Sequence, residues 1–398
     1  MNEGKTIIWL SDGPDYPSGF ATVGRNVTFR LSQYGHRINF IHCQKAGFIM
    51  PFYGNQFDDT KLHVPEAEVM ILPGASETSL FGKDMFPLHY GTISENETVD
   101  TVVSQMDLYM TSYIAPHHDE NSYQWIHYLP VDGHPIPPSW AIILQKIDKI
   151  ITMTKYGQEI VSDFGFETEY IYHGVDCELY KPRKEVRPEK WEDKFVIGVT
   201  NRNQHRKCIP ETIEAYKIFQ EGKDDVFLYL HMSGNDRMGW RFPDLFKQMG
   251  VKSGIGWAAN FDPNVGVSQC DMASLYNNFD VLLSTTGGEG FGLTSVEAMA
   301  CEVPVVITDY TTSSEVVGFG EKDCGGLPIN VEYYHRPADF VSGVKRGIPD
   351  PKHAAEQLQY LYDNPDERKK LGRQGRERCK RLFDWDNITK QWHDVITE

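Results

Sequence analysis

The chain has 398 residues, 40% of them hydrophobic and 24% charged, with a formal net charge of −17. That length exceeds what one core usually holds, so two domains are expected, and the composition is that of an ordinary globular protein. The acidic balance argues against a surface built throughout to grip a nucleic-acid backbone, though not against a local basic groove.

No run of 18 apolar residues occurs, and Met1-Asn2-Glu3-Gly4-Lys5 leads directly into a strand, so neither a membrane span nor a signal peptide is expected. Cys43, Cys177, Cys208, Cys270, Cys301, Cys324 and Cys379 are scattered, odd in number and free of CxxC spacing. This suits a reducing compartment better than a disulfide framework or a zinc site, and a cytoplasmic location is the expectation. The sequons at Asn26, Asn96 and Asn387 then carry no meaning.

Residues 6–10 read as a strand, 11–19 as a loop rich in Gly and Pro, 20–34 as a helix and 38–41 as a second strand. Such alternation implies a parallel sheet with helices on both faces, and the loop carrying Tyr16 and Gly19 falls where open α/β sheets bind ligands. Between residues 48 and 120 periodicity is weak. His117, His118, Asp119 and Glu120 are adjacent, and adjacent residues in a loop rarely converge on one ion. No His-x3-His or Cys pair accompanies them, so no metal site is expected. Residues 123–137 read as a strand running into a Pro-bound loop that carries His127, Asp132 and His134, and His127 also fits a core histidine. Residues 147–157 are a strand and a helix start, 170–176 close the first domain, and 181–193 have the Lys, Arg, Pro and Glu content of a linker.

A second βα series begins with residues 195–199. The loop that follows, 201–208, carries Arg202 and Lys207 and enters a helix at 211–220; plain surface cations are the alternative. After the apolar strand 281–284 comes Gly287-Gly288-Glu289-Gly290-Phe291-Gly292, a turn into a helix at 294–301. The free backbone N–H groups and the dipole at such a helix start favour an anion such as a phosphate. Glu289 in the turn and Glu297 in the helix are placed to accept hydrogen bonds from hydroxyls on either side of it. The basic run 368–381 reads as a solvated helix face.

Glu289 and Glu297, with seven residues between them in GEGFGLTSVEAMACEVPVV, resemble the E-x7-E signature of family GT4, retaining glycosyltransferases of the GT-B fold. The likeness continues through 304–309, with Glu302 standing where the family commonly has Gly. Arg202 and Lys207 match the family's diphosphate-directed Arg and Lys, and Cys208 again replaces a usual Gly. The likeness is strong over 195–398, moderate over 6–35 and 125–182, and nearly absent over 48–120, where acceptor specificity lies in that family.

The resemblance implies an α/β protein of GT-B fold, two Rossmann-like domains facing a deep interdomain cleft. Residues 1–182 would bind the acceptor and 194–383 the nucleotide sugar, with a hinge at 182–194. Residues 384–398 would form a helix crossing back onto the first domain, with Trp385 and Trp392 as packing anchors.

The resemblance further implies transfer of a sugar from a UDP- or GDP-linked donor to an acceptor hydroxyl with retained configuration. No cofactor and no metal are expected, because no DxD motif stands at a plausible strand end. Glu289, Asp132, Arg202 and Lys207 would carry the chemistry. Gly19, Gly290, Phe291, Gly292, Leu293, Thr294 and Glu297 would hold the donor, with residues 254–261 around the base. Asp132 stands where many relatives place a His near the reacting sugar, with His127 and His134 as rivals; Tyr16, His127 and His134 are the acceptor-side candidates. The acceptor stays open between a glycan, a lipid-linked glycan, a protein, a small molecule and a modified base in DNA. Oligomeric state and peripheral membrane association stay open too. An epimerase of the same fold, or a non-catalytic nucleotide-sugar-binding protein, are the alternative readings.

Overall fold

The computed structural model describes residues 4–53, 68–185, 187–251, 253–259, 261–262, 265–337 and 343–398. The expectations that touch residues 1–3, 54–67, Val186 and Asn260 therefore lie outside the described residues. The chain divides into two compact units: Met1–Val131, Ile136–Gly174 and Trp385–Glu398 form one, Asp132–Pro135 and Val175–Asp384 the other. The boundary expected at 182 thus falls earlier, between Gly174 and Val175. The short segment Asp132–Pro135 belongs to the second unit although the chain on both sides of it belongs to the first.

In the first unit, β1 (Thr6–Ser11), β2 (Arg37–His42), β3 (Met50–Tyr53), β4 (Glu68–Pro73), β5 (Thr101–Ser104), β6 (Gln124–Leu129), β7 (Lys149–Thr152) and β8 (Glu169–Tyr170) share one sheet. Its order is β3-β4-β2-β1-β5-β6-β7-β8, parallel throughout except for the antiparallel edge pair β3–β4. Without β3 the order is 3-2-1-4-5-6-7, the 3-2-1-4-5-6 order of a Rossmann-like sheet extended by the short strand β8. β1 is buried along its whole length, which is why it reads as an apolar run and not as an alternation.

The helix Gly19–Gln33 starts at Ser18, whose Oγ accepts from the Ala21 N–H at 3.1 Å. The last helix, Trp385–Thr397, belongs to this unit, while Asp384 belongs to the other. Trp392 is fully buried, edge-on to Trp9 at 5.1 Å and to Tyr128 at 4.9 Å. Trp385 lies over Gly174, where any Cβ would come within 2.4 Å of its ring. Further along, His393 stacks on Tyr34 at 4.4 Å and shares a hydrogen bond with His36 at 2.8 Å.

The stretch of weak periodicity contains β3, β4 and β5 with the helices Met85–Ser94, Leu108–Thr111 and Ile114–Glu120. His117, His118 and Asp119 therefore lie on a helix and not in a loop. They turn to separate partners: Tyr123 Oη at 3.1 Å, Asp148 at 2.9 Å and Lys146 at 2.9 Å.

The second unit repeats the pattern. β9 (Phe195–Val199), β10 (Val226–Leu230), β11 (Ile255–Trp257), β12 (Val281–Ser284), β13 (Val305–Thr308) and β14 (Gly326–Ile329) form a parallel sheet in the order β11-β10-β9-β12-β13-β14. This is again 3-2-1-4-5-6, with the order reversing between β9 and β12. A separate antiparallel pair, β15 (Val331–His335) and β16 (Arg346–Pro349), stands outside that sheet.

Two expectations need correction here. The linker 181–193 is no bare tether, because Trp191 is buried edge-on to Tyr229 at 4.8 Å and Arg187 pairs with Asp280 at 2.9 Å. The basic run lies on the helix Pro365–Leu382, but two of its cations point inward. Arg376 donates to the Tyr180 and Cys177 carbonyls at 2.9 and 3.0 Å, and Arg378 binds Glu321 at 3.0 Å and Asp323 at 2.9 Å. A guanidinium supplies several donors in a fixed plane, so it can be buried where enough acceptors converge.

Candidate active site in the second unit

Open α/β sheets bind ligands beyond the carboxyl ends of their strands at the point where strand order reverses. Here that point is the β9/β12 boundary, and the loops leaving these two strands meet. The Gly287 N–H donates to the Arg206 carbonyl at 2.6 Å. Arg206 returns the contact through Nη1, which donates to the Gly288 carbonyl at 2.9 Å and to Glu289 Oε2 at 3.1 Å. The other carboxylate oxygen, Oε1, takes the Lys207 ammonium.

Lys207 and Glu289 are only 7% and 8% exposed, so each charge depends on the other to offset the loss of water. Burial alone would push the Glu289 carboxyl up, but the Lys207 and Arg206 charges outweigh it and hold the group well below the usual carboxylate range. Burial, with Arg206 beside it, pulls Lys207 down from the ordinary lysine value, while Glu289 counters. Lys207 ends a short 3-10 turn, and Cys208 follows in the left-handed region at φ 48°, redirecting the chain into the helix Ile209–Gln220.

The turn after β12 needs its glycines at two places. A Cβ at Gly288, which has φ 147°, would come within 2.2 Å of the Asp132 carbonyl. Gly292 at φ 98° starts the helix Leu293–Ala300 with no side-chain cap, which leaves the first N–H groups at Leu293 and Thr294 open to an anion. Gly290 bridges Glu289 and Phe291. Phe291 is buried edge-on to Phe383 at 5.4 Å, and its carbonyl accepts from Thr312, so its side chain pins the turn.

Asp132 reaches this cluster through Arg346 on β16. One guanidinium nitrogen, Nη1, donates to Asp132 Oδ1 at 2.9 Å and to the Asp132 carbonyl at 2.7 Å. His134 lies 5.9 Å from the Tyr310 ring, and burial lowers its imidazole. On the far side of the turn, Glu297 accepts from Tyr276 Oη at 2.7 Å, and that hydroxyl also meets Thr200 at 3.1 Å. Burial pushes Glu297 up to about 7 against the pull of the Tyr276 and Tyr180 hydroxyls.

The structure thus brings Lys207, Glu289, Asp132 and the turn 290–294 together. Arg202 sits elsewhere: its side chain is 58% exposed and paired with Asp236 at 2.9 Å. His127, on β6 of the first unit, is fully buried with Nδ1 at 2.7 Å from Ser104 Oγ, and burial holds its imidazole down at about 3. In that same unit Gly19 opens its helix and Tyr16 lies edge-on to His42 at 6.1 Å. Sequence reasoning missed Arg206 and Arg346. Arg206 was within reach, as the immediate neighbour of Lys207. Among the described residues no group of three or more His, Cys, Asp or Glu is placed to hold a metal, and no helix is long and apolar enough to cross a membrane.

Residues 180–378 match the family described as glycosyl transferases group 1. Two curated relatives are the capsular polysaccharide biosynthesis glycosyltransferase CapM of Staphylococcus aureus and a D-inositol 3-phosphate glycosyltransferase of Corynebacterium kroppenstedtii. The first is 26% identical over 260 residues, 63% of this chain, and the second 25% identical over 290 residues, 68% of this chain. The chain spans 60% and 58% of the lengths of these two relatives. Among solved structures, a sucrose-phosphate synthase from Thermosynechococcus elongatus superposes with a TM-score of 0.74 at 16% identity, over 98% of both chains. Anabaena HepE, in complex with UDP and glucose, superposes with a TM-score of 0.69 at 15% identity, over 99% of both. These likenesses show the fold to be GT-B, in agreement with the two Rossmann-like units.

Proposed function

We propose, from the premise that this chain belongs to the glycosyl transferases group 1 family, that it moves a sugar from a nucleotide-diphosphate sugar to an acceptor hydroxyl with retained anomeric configuration. The observation that carries this reading is the buried Lys207–Glu289 pair, joined by the half-buried Arg206, at the β9/β12 switch point, beside the uncapped start of the helix Leu293–Ala300. Two cations and a helix N-terminus at one point suit a diphosphate, and preformed positive charge aimed at a leaving phosphate is a large catalytic term.

In this reading Lys207 and Arg206 stabilise the charge that builds on the leaving diphosphate, and Arg202, on the same loop, joins them by exchanging Asp236 for a phosphate oxygen. Glu289 fixes the Lys207 ammonium and accepts from sugar hydroxyls; Glu297 accepts from the nucleotide ribose. The bond from the anomeric carbon to the phosphate oxygen breaks, the bond to the acceptor oxygen forms on the same face, and the departing phosphate oxygen takes the acceptor proton. No side-chain nucleophile is required. The positive charge comes from the chain itself, so the proposed reaction needs no metal. UDP is the favoured nucleotide because the HepE structure holds UDP and glucose in the same fold.

The test is a screen of UDP-, GDP- and ADP-sugars without acceptor and with EDTA, following release of nucleotide diphosphate. Slow hydrolysis of one donor, lost in Lys207→Ala and Glu289→Ala while both variants stay folded, is the expected result. Near-normal turnover in either variant overturns the assignment.

A further inference from the structure

We infer that Arg346 is a positioning residue for the reaction proposed above: from outside the main sheet it sets where Asp132 stands relative to Glu289 and Lys207. The inference rests on that reading for its chemistry and, for its geometry, on three consecutive residues: Lys345, just before β16, and Arg346 and Gly347, its first two. The Lys345 N–H donates to the His134 carbonyl at 2.8 Å, Arg346 binds Asp132, and the Gly347 N–H donates to the Gly287 carbonyl at 3.2 Å. One short edge strand therefore stitches the segment Asp132–Pro135 to the turn that carries Glu289.

The fit is close on every side. A Cβ on Gly133 would come within 2.4 Å of Val344, and one on Gly288 within 2.2 Å of the Asp132 carbonyl. The strand itself is braced from the opposite direction, since Tyr310 Oη donates to the Lys345 carbonyl at 3.0 Å. Arg346 is 3% exposed, and a buried guanidinium that spans a carboxylate and the carbonyl of the same residue fixes both the position and the orientation of that residue. Asp132 is near enough for its charge to act on Lys207. Its carboxylate is thereby held beside the ion pair on which the leaving diphosphate depends.

The experiment combines Arg346→Met, Arg346→Lys and Asp132→Asn in the full chain, with UDP as the binding probe and the donor found in the screen as substrate. UDP affinity by calorimetry is expected to stay within threefold in all variants, because the diphosphate cations and the helix start are untouched. Donor turnover is expected to fall at least thirtyfold in kcat with KM within threefold for Arg346→Met, and less for Arg346→Lys. Asp132→Asn added to Arg346→Met should lower kcat by less than a further threefold, since both act through one group. Amide exchange at Lys345 and Gly347 should quicken in Arg346→Met while the helix Leu293–Ala300 keeps its protection. Turnover within threefold of wild type, losses that multiply, or a loss that appears as weakened UDP binding overturns the inference. If the wild type hydrolyses no donor, the functional reading fails separately, and unchanged exchange at Lys345 and Gly347 still overturns the positional claim.

Discussion

Arg206 Nη1 meets Glu289 Oε2 at 3.1 Å, the oxygen that Lys207 leaves free, so one buried carboxylate is shared by two cations contributed by adjacent residues. The arrangement fixes the buried Lys207 and the half-buried Arg206 on one carboxylate, at the cost of making each member depend on the others.

That dependence is measurable as coupling. Lys207→Met strips Glu289 of one partner and is expected to destabilise the chain by about 2 kcal/mol, below the ~3–5 kcal/mol of a fully orphaned buried charge because Arg206 remains. Adding Glu289→Gln should recover at least about 1 kcal/mol of that loss. Urea midpoints of the single and double variants check it; strictly additive losses count against a shared charge cluster.

Glu297 gives a pH signature. Its folded carboxyl titrates at about 7, above the ordinary 4.5, so stability from this group is fully present below about pH 4.5 and is lost as pH rises through 7. Glu297→Gln is expected to be more stable than wild type at pH 8, on the order of 1–2 kcal/mol, and no more stable at pH 4.5. Wild-type UDP binding is expected to weaken between pH 8 and pH 6 as Glu297 takes up a proton, and the same variant should lose that dependence. Thermal unfolding and calorimetry at these pH values read both effects.

Glu302 occupies the left-handed region at φ 61°, directly after the helix that bears Glu297. A side chain there costs roughly 1–2 kcal/mol, which glycine avoids. Glu302→Gly is expected to stabilise the chain by about 0.5–1 kcal/mol once the greater freedom of unfolded glycine is subtracted, without altering turnover. A fall in the urea midpoint contradicts this.

The His36–His393 hydrogen bond makes the last helix sensitive to acid. Burial, then the neighbouring His393 and Lys5, lower the His36 imidazole to about 4, so the folded state holds it neutral. Stability from this group is full above about pH 6.5 and is lost as pH falls towards 4. Protection factors of the amides in Trp385–Thr397, with the intrinsic pH dependence of exchange divided out, should therefore fall between pH 6.5 and 5, and His36→Gln should flatten that fall.

Both parallel sheets were legible because strands buried on two faces leave apolar runs, and because the glycine turn of β12 announces a helix start. The region from 48 to 120 was not, since elements such as Leu108–Thr111 are too short to show a period. β15 was hidden for another reason. Its Tyr333 and Tyr334 are both 54% exposed, so it is neither an alternation nor an apolar run. Cys208 and Glu302 looked like lapses from a glycine pattern, and both turn out to sit at positive φ, where the pattern has its physical cause. Arg346 left no signal. In sequence it is one of two adjacent cations before a glycine, and its burial is created by a partner 214 residues away.

The chain passes between its two units at Val131/Asp132, Pro135/Ile136, Gly174/Val175 and Trp385. Neither unit is therefore a cassette. Recombination at a single point near residue 182 would transplant most of the second unit without the Asp132 segment that Arg346 grips, and would strip Trp392 from the core around Trp9 and Tyr128. Chimeras that aim to exchange either unit with a relative must carry residues 132–135 with the second unit and the last helix with the first.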